Sequence, residues 1–331
     1  MLLIADGNNL AWAGFHALRK PMAAETPELK VRATLLGLSQ SVIGLIVRAG
    51  EPPAEAGTRP APPRLGQVTR VAVVFDEGRP LRRRGIFPGY QTGRESTASF
   101  AENERFVIEG IRLFSEAAAV LPIEIIRGIN AEADDLIASL ALNGHAGPLR
   151  IASSDRDFLQ LVDERLSIYS PQKRLVIGPD NFAEATAPTD SDGRAVPFPR
   201  ERYLDYRAAS GDASDDLPGI PAVGTLTAAR LLAHRPMDDY FAKPGLITGV
   251  LGRRNMKLEG ALYSGEARAV FERNRMLMDL RQGAAHYPSL EDMTSRGAWD
   301  PAAFRRWCTD QRIAGLDVNA ACQAFESIAS N

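Results

Sequence analysis

The chain has 331 residues, of which 45% are hydrophobic and 24% charged, a composition typical of a globular protein with a full core. Its formal net charge of −2 excludes a uniformly basic nucleic-acid-binding protein, although a basic face can still lie beside an acidic one. Two cysteines, Cys308 and Cys322, stand outside any CxxC pair, which excludes a cysteine-ligated zinc site and fits a reducing cytoplasm. The first residues lack the basic region of a signal peptide, and no run approaches the ~18 apolar residues of a membrane-spanning helix. We therefore expect a soluble, cytoplasmic protein that does not contact a membrane.

Short apolar runs alternate with helical patterns through the first half of the chain. Such alternation predicts an α/β fold, in which a mostly parallel, twisted sheet carries helices on both faces. The predicted strands are Leu2–Ala5, Val71–Phe75, Ile123–Arg127, Leu149–Ala152 and Leu166–Tyr169. The predicted helices are Asn8–Arg19, Leu29–Val47, Ser99–Val120 and Ala131–Leu142. A stretch at about 50–67, rich in Pro, Ala, Gly and Arg, predicts a flexible surface insertion.

A second proline-rich stretch, Glu184–Pro199, is the predicted boundary between two regions. We expect an α/β core over 1–188, with a basic segment at about 77–100, and a helical region over 198–331. The helical region begins with a predicted helix–hairpin–helix at about 205–235 and ends in C-terminal helices. Its predicted helices are Arg200–Ala209, Thr225–His234, Glu266–Gln282, Pro301–Ile313 and Asp317–Ile328.

Nine carboxylates stand in five short clusters along the chain. Three of them, Asp6, Asp76 and Asp155, follow predicted strands, and the carboxyl ends of parallel strands meet at one edge of a sheet. Like charges brought together need a cation, and hard cations such as Mg²⁺ prefer oxygen ligands. The clusters therefore predict a divalent-metal site at that edge. The nine residues are Asp6, Asp76, Glu132, Asp134, Asp135, Asp155, Asp157, Asp212 and Asp215.

Each cluster also has an ordinary structural interpretation. Glu132 and Asp135 lie three residues apart on one helix face, where first-turn acids complement the helix dipole without any metal. Asp155 and Asp157 can equally be the acids that end a strand and open a helix. The number of clusters, rather than any one of them, favours the metal site.

Two further stretches carry patterns suited to phosphate. Residues 211–228 have the outline of a helix–hairpin–helix, whose turn amides and helix N-terminus contact phosphate without reading sequence; the alternative is a plain turn. The basic segment after Asp76, interleaved with Phe87, is either a solvated loop or an arch that attracts a single strand. The candidate DNA-binding residues are Arg79, Arg82, Arg83, Arg84, Gly219, Val223, Gly224, Thr225 and Thr227.

In this order, the motifs resemble the 5′-to-3′ exonuclease and flap endonuclease family, and are similar to the 5′-nuclease domain of bacterial DNA polymerase I in a free-standing form. The matching stretches are Leu-Leu-Ile-Ala-Asp6-Gly, Val-Val-Phe-Asp76, Gly-Tyr90-Gln-Thr-Gly-Arg94, Glu132-Ala-Asp-Asp135, Ser-Asp155-Arg-Asp157-Phe-Leu-Gln-Leu, and Asp205-Tyr-Arg-Ala through Gly224.

The resemblance implies a PIN-like α/β core followed by the helix–hairpin–helix region. It also implies a metal-dependent phosphodiesterase that acts on DNA with a 5′ flap, a nick or a single-stranded 5′ end. The nine acids would hold two or more Mg²⁺ or Mn²⁺ ions, the hairpin would hold a K⁺, and Arg84, Tyr90 and Arg94 would act at the scissile phosphate. The resemblance says nothing of protein partners.

Four residues depart from the family pattern, and all of them lie where DNA would be held. Gln91 and Leu226 replace lysines, Asp216 replaces an asparagine, and Ala222 replaces a glycine of Gly-Ile-Gly. We hypothesise that Arg84 or Arg94 takes over the phosphate role of the missing lysine at position 91. Two other functions stay open: a weakly active or inactive protein that binds branched DNA, and a ribonuclease built on the same acidic core.

Overall fold

The computed structural model describes residues 1–50, 66–252, 254–313 and 315–331, without the side chains of 48–50, 94, 95 and 99. The predicted insertion at about 50–67 falls almost entirely outside these residues. The strands are β1 (Leu2–Asp6), β2 (Arg70–Glu77), β3 (Glu124–Ile129), β4 (Leu149–Ala152), β5 (Leu166–Ser170), β6 (Leu175–Ile177), β7 (Gly211–Asp212), β8 (Leu217–Pro218) and β9 (Thr294–Arg296).

The helices of the first half are α1 (Gly7–Arg19), α2 (Pro27–Gly50), α3 (Leu81–Ile86), α4 (Thr92–Ser96), α5 (Ala98–Ala117), α6 (Ala133–Asn143) and α7 (Phe182–Thr186). Those of the second half are α8 (Tyr203–Ser210), α9 (Thr225–His234), α10 (Met237–Ala242), α11 (Leu246–Leu251), α12 (Met256–Tyr263), α13 (Glu266–Met278), α14 (Leu280–Ala285), α15 (Pro301–Asp310) and α16 (Val318–Ala329). The predicted helix over Glu266–Gln282 is two helices, because Asp279 adopts an extended conformation and caps α14.

A seven-stranded sheet in the order β6-β5-β4-β1-β2-β3-β9 forms the centre of the fold. The five strands from β5 to β3 in this order run parallel to their neighbours, and the two edge strands run antiparallel. The predicted fold class, a mostly parallel sheet with helices on both faces followed by a helical region, is confirmed. The five predicted strands all exist, each within two residues of its predicted ends.

Side chains of the central strands alternate between two hydrophobic cores. Leu2 and Ile4 point to one face of the sheet, where α6, α8, α9 and α13 pack. Leu3 and Ala5 point to the other face, which is covered by α1, α2, α5, α15 and α16. Parallel strands buried on both faces need apolar residues at every position, which is why these runs are continuous in the sequence.

The C-terminal residues return to the sheet. β9 pairs with β3, α14 packs on α6, and α16 packs on α2. Neither edge strand, β6 or β9, was predicted from the sequence. The division of the chain into two regions at about 188–198 remains a prediction. Elements after residue 198 pair with the central sheet and contribute to both cores.

Helix α2 corrects one expectation from the sequence. By length and composition alone, Pro27–Val47 could cross a membrane, although no run was expected to approach that limit. In the structure 61% of the most apolar 18-residue stretch of this helix is buried, as in the core helix of a soluble protein.

Helices α1 and α2 approach each other closely at two glycines. Gly14 of α1 and Gly37 of α2 meet backbone to backbone, so that a Cβ on Gly14 would lie 2.6 Å from the carbonyl carbon of Gly37.

Candidate metal and nucleic-acid site

A cavity opens at the carboxyl edge of the sheet, where β1, β2 and β4 end. Asp6 ends β1, Asp76 lies near the end of β2, and Asp155 follows β4, so the predicted convergence of these three acids is what the structure has. Glu132 and Asp134 join them from the start of α6. We call these five residues the rim group: Asp6, Asp76, Glu132, Asp134 and Asp155 all line the cavity.

Hydrogen bonds fix the rim carboxylates at the strand ends. Asp6, only 5% exposed, caps α1 by accepting from the Asn9 amide at 3.0 Å, and the Ser153 hydroxyl donates to its second oxygen at 2.6 Å. The carboxylate of Asp76 accepts from the Ala133 amide at 2.5 Å, which joins β2 to the first turn of α6. The capping role suggested by the sequence is therefore real for Asp6, and it leaves this carboxylate in the cavity.

Crowding of like charges changes the ionisation of the rim group. Burial, together with the charges of Asp157, Asp215 and Asp6, raises the pKa of Asp155 to about 8. Burial and the nearby carboxylates raise the pKa of Glu132 to about 7, against the opposing charge of Arg83. Burial and three rim acids likewise raise the pKa of Asp134 well above its ordinary value. Burial and mutual repulsion thus disfavour the ionised form of several carboxylates, and an added cation would offset that cost.

A second set of carboxylates lies beside the rim. We call it the hairpin group: Asp157, Asp212 and Asp215 each offer an oxygen, and the three oxygens lie within 4.8 Å of one another. Asp215 also lines the cavity with the rim group, so that the two groups are adjacent. Both sets consist of oxygen donors alone, which suits Mg²⁺ or Mn²⁺ and not a thiol- or imidazole-selecting metal.

Arg207 on α8 was missed as a site residue. Its buried guanidinium donates to Asp157 Oδ1 at 2.8 Å and is paired with Asp212, so it bridges two members of the hairpin group. The carboxylates in turn raise the pKa of Arg207, against the effect of burial. The sequence held one signal: Arg207 belongs to the Asp-Tyr-Arg-Ala stretch that precedes the hairpin.

Asp135 does not join the other acids. It is 1% exposed, and its oxygens accept from Arg83 at 2.7 and 3.1 Å and from Arg82 at 3.1 Å. Arg83, 2% exposed, is also paired with Glu132 and donates to the Leu277 carbonyl at 2.8 Å. This placement is at odds with Arg83 as a DNA-phosphate ligand, because its guanidinium is enclosed by protein groups. Asp135 and Arg83 instead anchor α6 to α3 and α13.

The remaining residues of the predicted arch have different surroundings. Tyr90 is buried and its hydroxyl lies 3.5 Å from Glu132, while Arg84 donates to the Tyr90 carbonyl at 3.1 Å. Arg79 lines the cavity, paired with Glu104 at 2.9 Å. The side chain of Arg94 lies outside the described residues.

The helix–hairpin–helix consists of α8, the β7–β8 hairpin and α9. Gly211, with φ of +75°, has no room for a side chain, since a Cβ would lie 2.5 Å from the Leu217 carbonyl. Val223 is 5% exposed and its amide donates to the Ile220 carbonyl, so its side chain and its amide are both engaged within the protein, which is at odds with its predicted role in DNA binding. Gly224 and Thr225 are exposed at the N-terminus of α9, where the helix amides point outward.

Gly219 is partly buried in the hairpin, where a Cβ would collide with the backbone of Ser210. A glycine at this position therefore allows the hairpin to pack against the end of α8. Thr227 lies partly exposed in the first turn of α9. Ala222 stands at the family's glycine position and still adopts a left-handed φ of +64°.

One wall of the cavity is apolar and was not predicted from the sequence. Trp12 of α1 stacks on Phe100 of α5 with ring centroids 5.1 Å apart, and Ile108 of α5 is 57% exposed beside them. Aromatic rings beside an acidic cavity are suited to stacking on an unpaired base. The signal available was Trp12 itself, an aromatic residue one and a half turns after Asp6.

Comparisons with known proteins agree with this geometry. A family model described as "5′-3′ exonuclease, N-terminal resolvase-like domain" matches residues 1–187. The chain belongs to the 5′-3′ exonuclease family. DNA polymerase I of Mycobacterium tuberculosis (strain H37Rv) is 31% identical over 281 residues, which are 84% of this chain and 27% of that protein. The chain thus spans about a quarter of the length of the curated relatives it matches.

Two solved structures are similar in fold. T5 5′-exonuclease with bound zinc gives a TM-score of 0.60 at 18% identity over 99% of each chain. The T5 D15 flap endonuclease in a complex with DNA and metal ions gives 0.57 at 18% identity over 100% of this chain and 99% of that one. The family departures Gln91 and Asp216 lie beside the hairpin group, since the Gln91 side chain donates to Asp215 and Asp216 is the next residue in the chain.

Proposed function

We propose that this protein is a divalent-metal-dependent 5′ nuclease that hydrolyses DNA phosphodiesters near 5′ ends or branch junctions. The observation that carries the proposal is the convergence of the rim and hairpin groups on one cavity, with carboxylate pKa values raised by burial and mutual repulsion. Such an arrangement is costly in a metal-free protein and becomes favourable once cations bind. Membership of the 5′-3′ exonuclease family supports the same reaction.

The two acidic groups divide the proposed metal sites. The rim group and the hairpin group would each hold Mg²⁺ or Mn²⁺, with Asp155 and Asp215 nearest the boundary between them. Bound divalent ions would supply the activated water and stabilise the leaving oxygen. The protein's own carboxylates would fix the positions of the ions. Two of them are themselves oriented by hydrogen bonds, Asp6 by the Ser153 hydroxyl and Asp76 by the Ala133 amide.

Other residues would bind the DNA. The exposed amides at the start of α9, near Thr225, suit a backbone phosphate, and the hairpin is the proposed K⁺ site. Arg79, which lines the cavity and is paired with Glu104, would contact a phosphate at the cavity mouth. The Trp12–Phe100 stack would receive an unpaired base next to the bond that is cut. We further propose that the protein acts in the cytoplasm on DNA with a 5′ flap, a nick or a free 5′ end.

Cleavage of a 5′-labelled flap and a nicked duplex tests the proposal, with Mg²⁺ or Mn²⁺ against EDTA. Asp155→Ala removes a rim carboxylate and is expected to abolish cutting. Asp292→Ala is a matched control, because this exposed acid lies far along the chain from both groups and is expected to cut like wild type. Cutting that survives in EDTA, or in Asp155→Ala, would contradict the metal mechanism.

The same assay separates the alternatives. Binding of flap DNA without cutting at any metal concentration would favour a branched-DNA-binding protein, a function to which the loss of lysines at Gln91 and Leu226 lends some support. Preferential cutting of a matched RNA substrate would favour a ribonuclease. Against the second alternative stands the α8–hairpin–α9 unit, a surface for duplex backbone beside the cavity.

A further inference from the structure

The arch and the hairpin touch at one small contact beside the cavity. The Gln91 amide donates to the Asp215 carbonyl at 3.1 Å, and the Gly93 amide donates to Asp216 Oδ2 at 2.7 Å. The Gln91 side chain adds a third bond, from Nε2 to Asp215 Oδ1 at 2.9 Å. Segment 90–93 is therefore docked on turn 212–216, although more than 120 residues of chain separate them.

The backbone conformation on both sides of this contact indicates a specific interaction. Gln91 and Asp216 both have left-handed φ values, +56° and +58°, a conformation uncommon for residues with a side chain. Gly93 has no space for one, since a Cβ would lie 2.5 Å from Asp216 Oδ1. Strained backbone on both sides of a contact persists only where the surrounding structure holds it in place.

Gln91 also joins the two acidic groups. Its Nε2 lies 3.2 Å from the Tyr90 hydroxyl, which lies 3.5 Å from Glu132 Oε1. A line of polar contacts thus runs from Glu132 of the rim group to Asp215 of the hairpin group. Asp215 is carried by a short turn rather than a strand, so its carboxylate depends on such contacts for its direction.

We propose that Gln91 is a positioning residue that orients the Asp215 carboxylate for a divalent ion at the hairpin group. An uncharged amide can orient a carboxylate by hydrogen bonding without adding a positive charge that would repel the ion, unlike the guanidinium that bridges Asp157 and Asp212. The inference rests on the proposed function for the presence of that ion. It concerns two residues that depart from the family pattern, Gln91 and Asp216, and gives them one common purpose.

Gln91→Met tests the proposal, because methionine has a similar length and no N–H donor. The probe is Mn²⁺ alone, titrated into DNA-free protein and followed by calorimetry and by the electron paramagnetic resonance of unbound Mn²⁺. We expect the Mn²⁺ affinity of the hairpin group to fall about 10- to 100-fold, the usual effect of removing a hydrogen bond that orients a metal-ligating carboxylate. Hydrogen exchange at the Gly93 amide should also accelerate, since the docking weakens.

Gly93→Ala provides a second variant, which pushes the Asp216 carboxylate away from the arch and removes no acidic residue. Gly85→Ala is its control: the same substitution in the same segment, at a position where a Cβ meets no atom within 4 Å. We expect weaker Mn²⁺ binding only in Gly93→Ala.

The outcomes separate this inference from the proposed function. A wild-type Mn²⁺ isotherm in Gln91→Met, with unchanged Gly93 protection, would overturn the positioning role alone. A wild-type protein that binds no Mn²⁺ would refute the proposed function and the inference together. Equal losses in Gly93→Ala and Gly85→Ala would also overturn the inference, because the docking contact would then have no specific effect.

Discussion

Removing one charge from the rim group should stabilise the metal-free protein. The informative substitution is Asp155→Asn, because the amide oxygen of asparagine can still accept the Asp157 amide that now donates to Asp155 at 2.7 Å. The pKa of Asp155 is raised to about 8 in the folded protein, above its value of about 3.9 in an unfolded chain. The ionised carboxylate is therefore disfavoured by folding.

The sign and the size of this change in stability follow from the raised pKa of Asp155. Stability contributed by a group with a raised carboxyl pKa is present below about pH 4 and is lost as the pH rises towards about 8. At pH 7 the difference spans about three pKa units, an upper limit of about 4 kcal/mol at 1.36 kcal/mol per unit. Neighbouring carboxylates share the protons and relax, so we expect Asp155→Asn to gain about 1–2 kcal/mol, or roughly 1–3 °C in Tm for a chain of 331 residues.

Thermal and denaturant unfolding in EDTA at about pH 5.5 and about pH 8.5 measure the effect. The wild type should lose stability between these values and Asp155→Asn should lose less. With saturating Mn²⁺ the order should reverse, because binding stabilises the folded wild type by mass action. If Asp155→Asn is the less stable protein in EDTA at high pH, the rim group is not under electrostatic strain and our account of it is wrong.

Three further substitutions test other parts of the structure by denaturant unfolding. Arg207→Met should lower the free energy of unfolding by about 3 kcal/mol in EDTA, because it leaves the carboxylates of Asp157 and Asp212 unpaired. Mn²⁺ should restore part of this stability. An unchanged free energy of unfolding would contradict the bridging role of Arg207. Gly283→Ala should cost about 2–4 kcal/mol, since its Cβ would overlap Asp135 Oδ1 and disturb the pairing with Arg83. Its control, Gly260→Ala on α12, meets open space and should be neutral or stabilising. Ala222→Gly should gain about 0.5–1 kcal/mol by relieving a left-handed alanine, and a loss would mean that the φ of +64° carries no strain.

The strands and their acids were predictable because two signals coincide. Continuous apolar runs such as Val71–Phe75 give buried parallel strands, and an acid directly after such a run falls at the carboxyl edge of the sheet. The convergence of Asp6, Asp76 and Asp155 follows from topology alone. Their partners do not, because a hydrogen bond such as that from Ser153 to Asp6 depends on packing between elements distant in sequence.

Two errors have a common physical cause. Arg82, Arg83 and Arg84 look alike in the sequence, and the periodicity of a helix as short as α3 gives no way to tell which one turns inward. Buried Arg83 is recognised only from its acid partner, Asp135, more than 50 residues away. Similarly, Thr294–Arg296 has no apolar alternation, since this short edge strand is mostly exposed, so β9 gave no strand signal.

The antiparallel pairing of β9 with β3 also delays the completion of the sheet during synthesis. The pairing of Ile125 with Ser295 joins residues 170 positions apart. At a synthesis rate of about 5–20 residues per second, β3 would wait about 10–30 s on the ribosome for its neighbour. During that interval the hydrogen-bonding edge of β3 is open to other chains. Expression at lower temperature or with a holdase chaperone should therefore raise the yield of native protein.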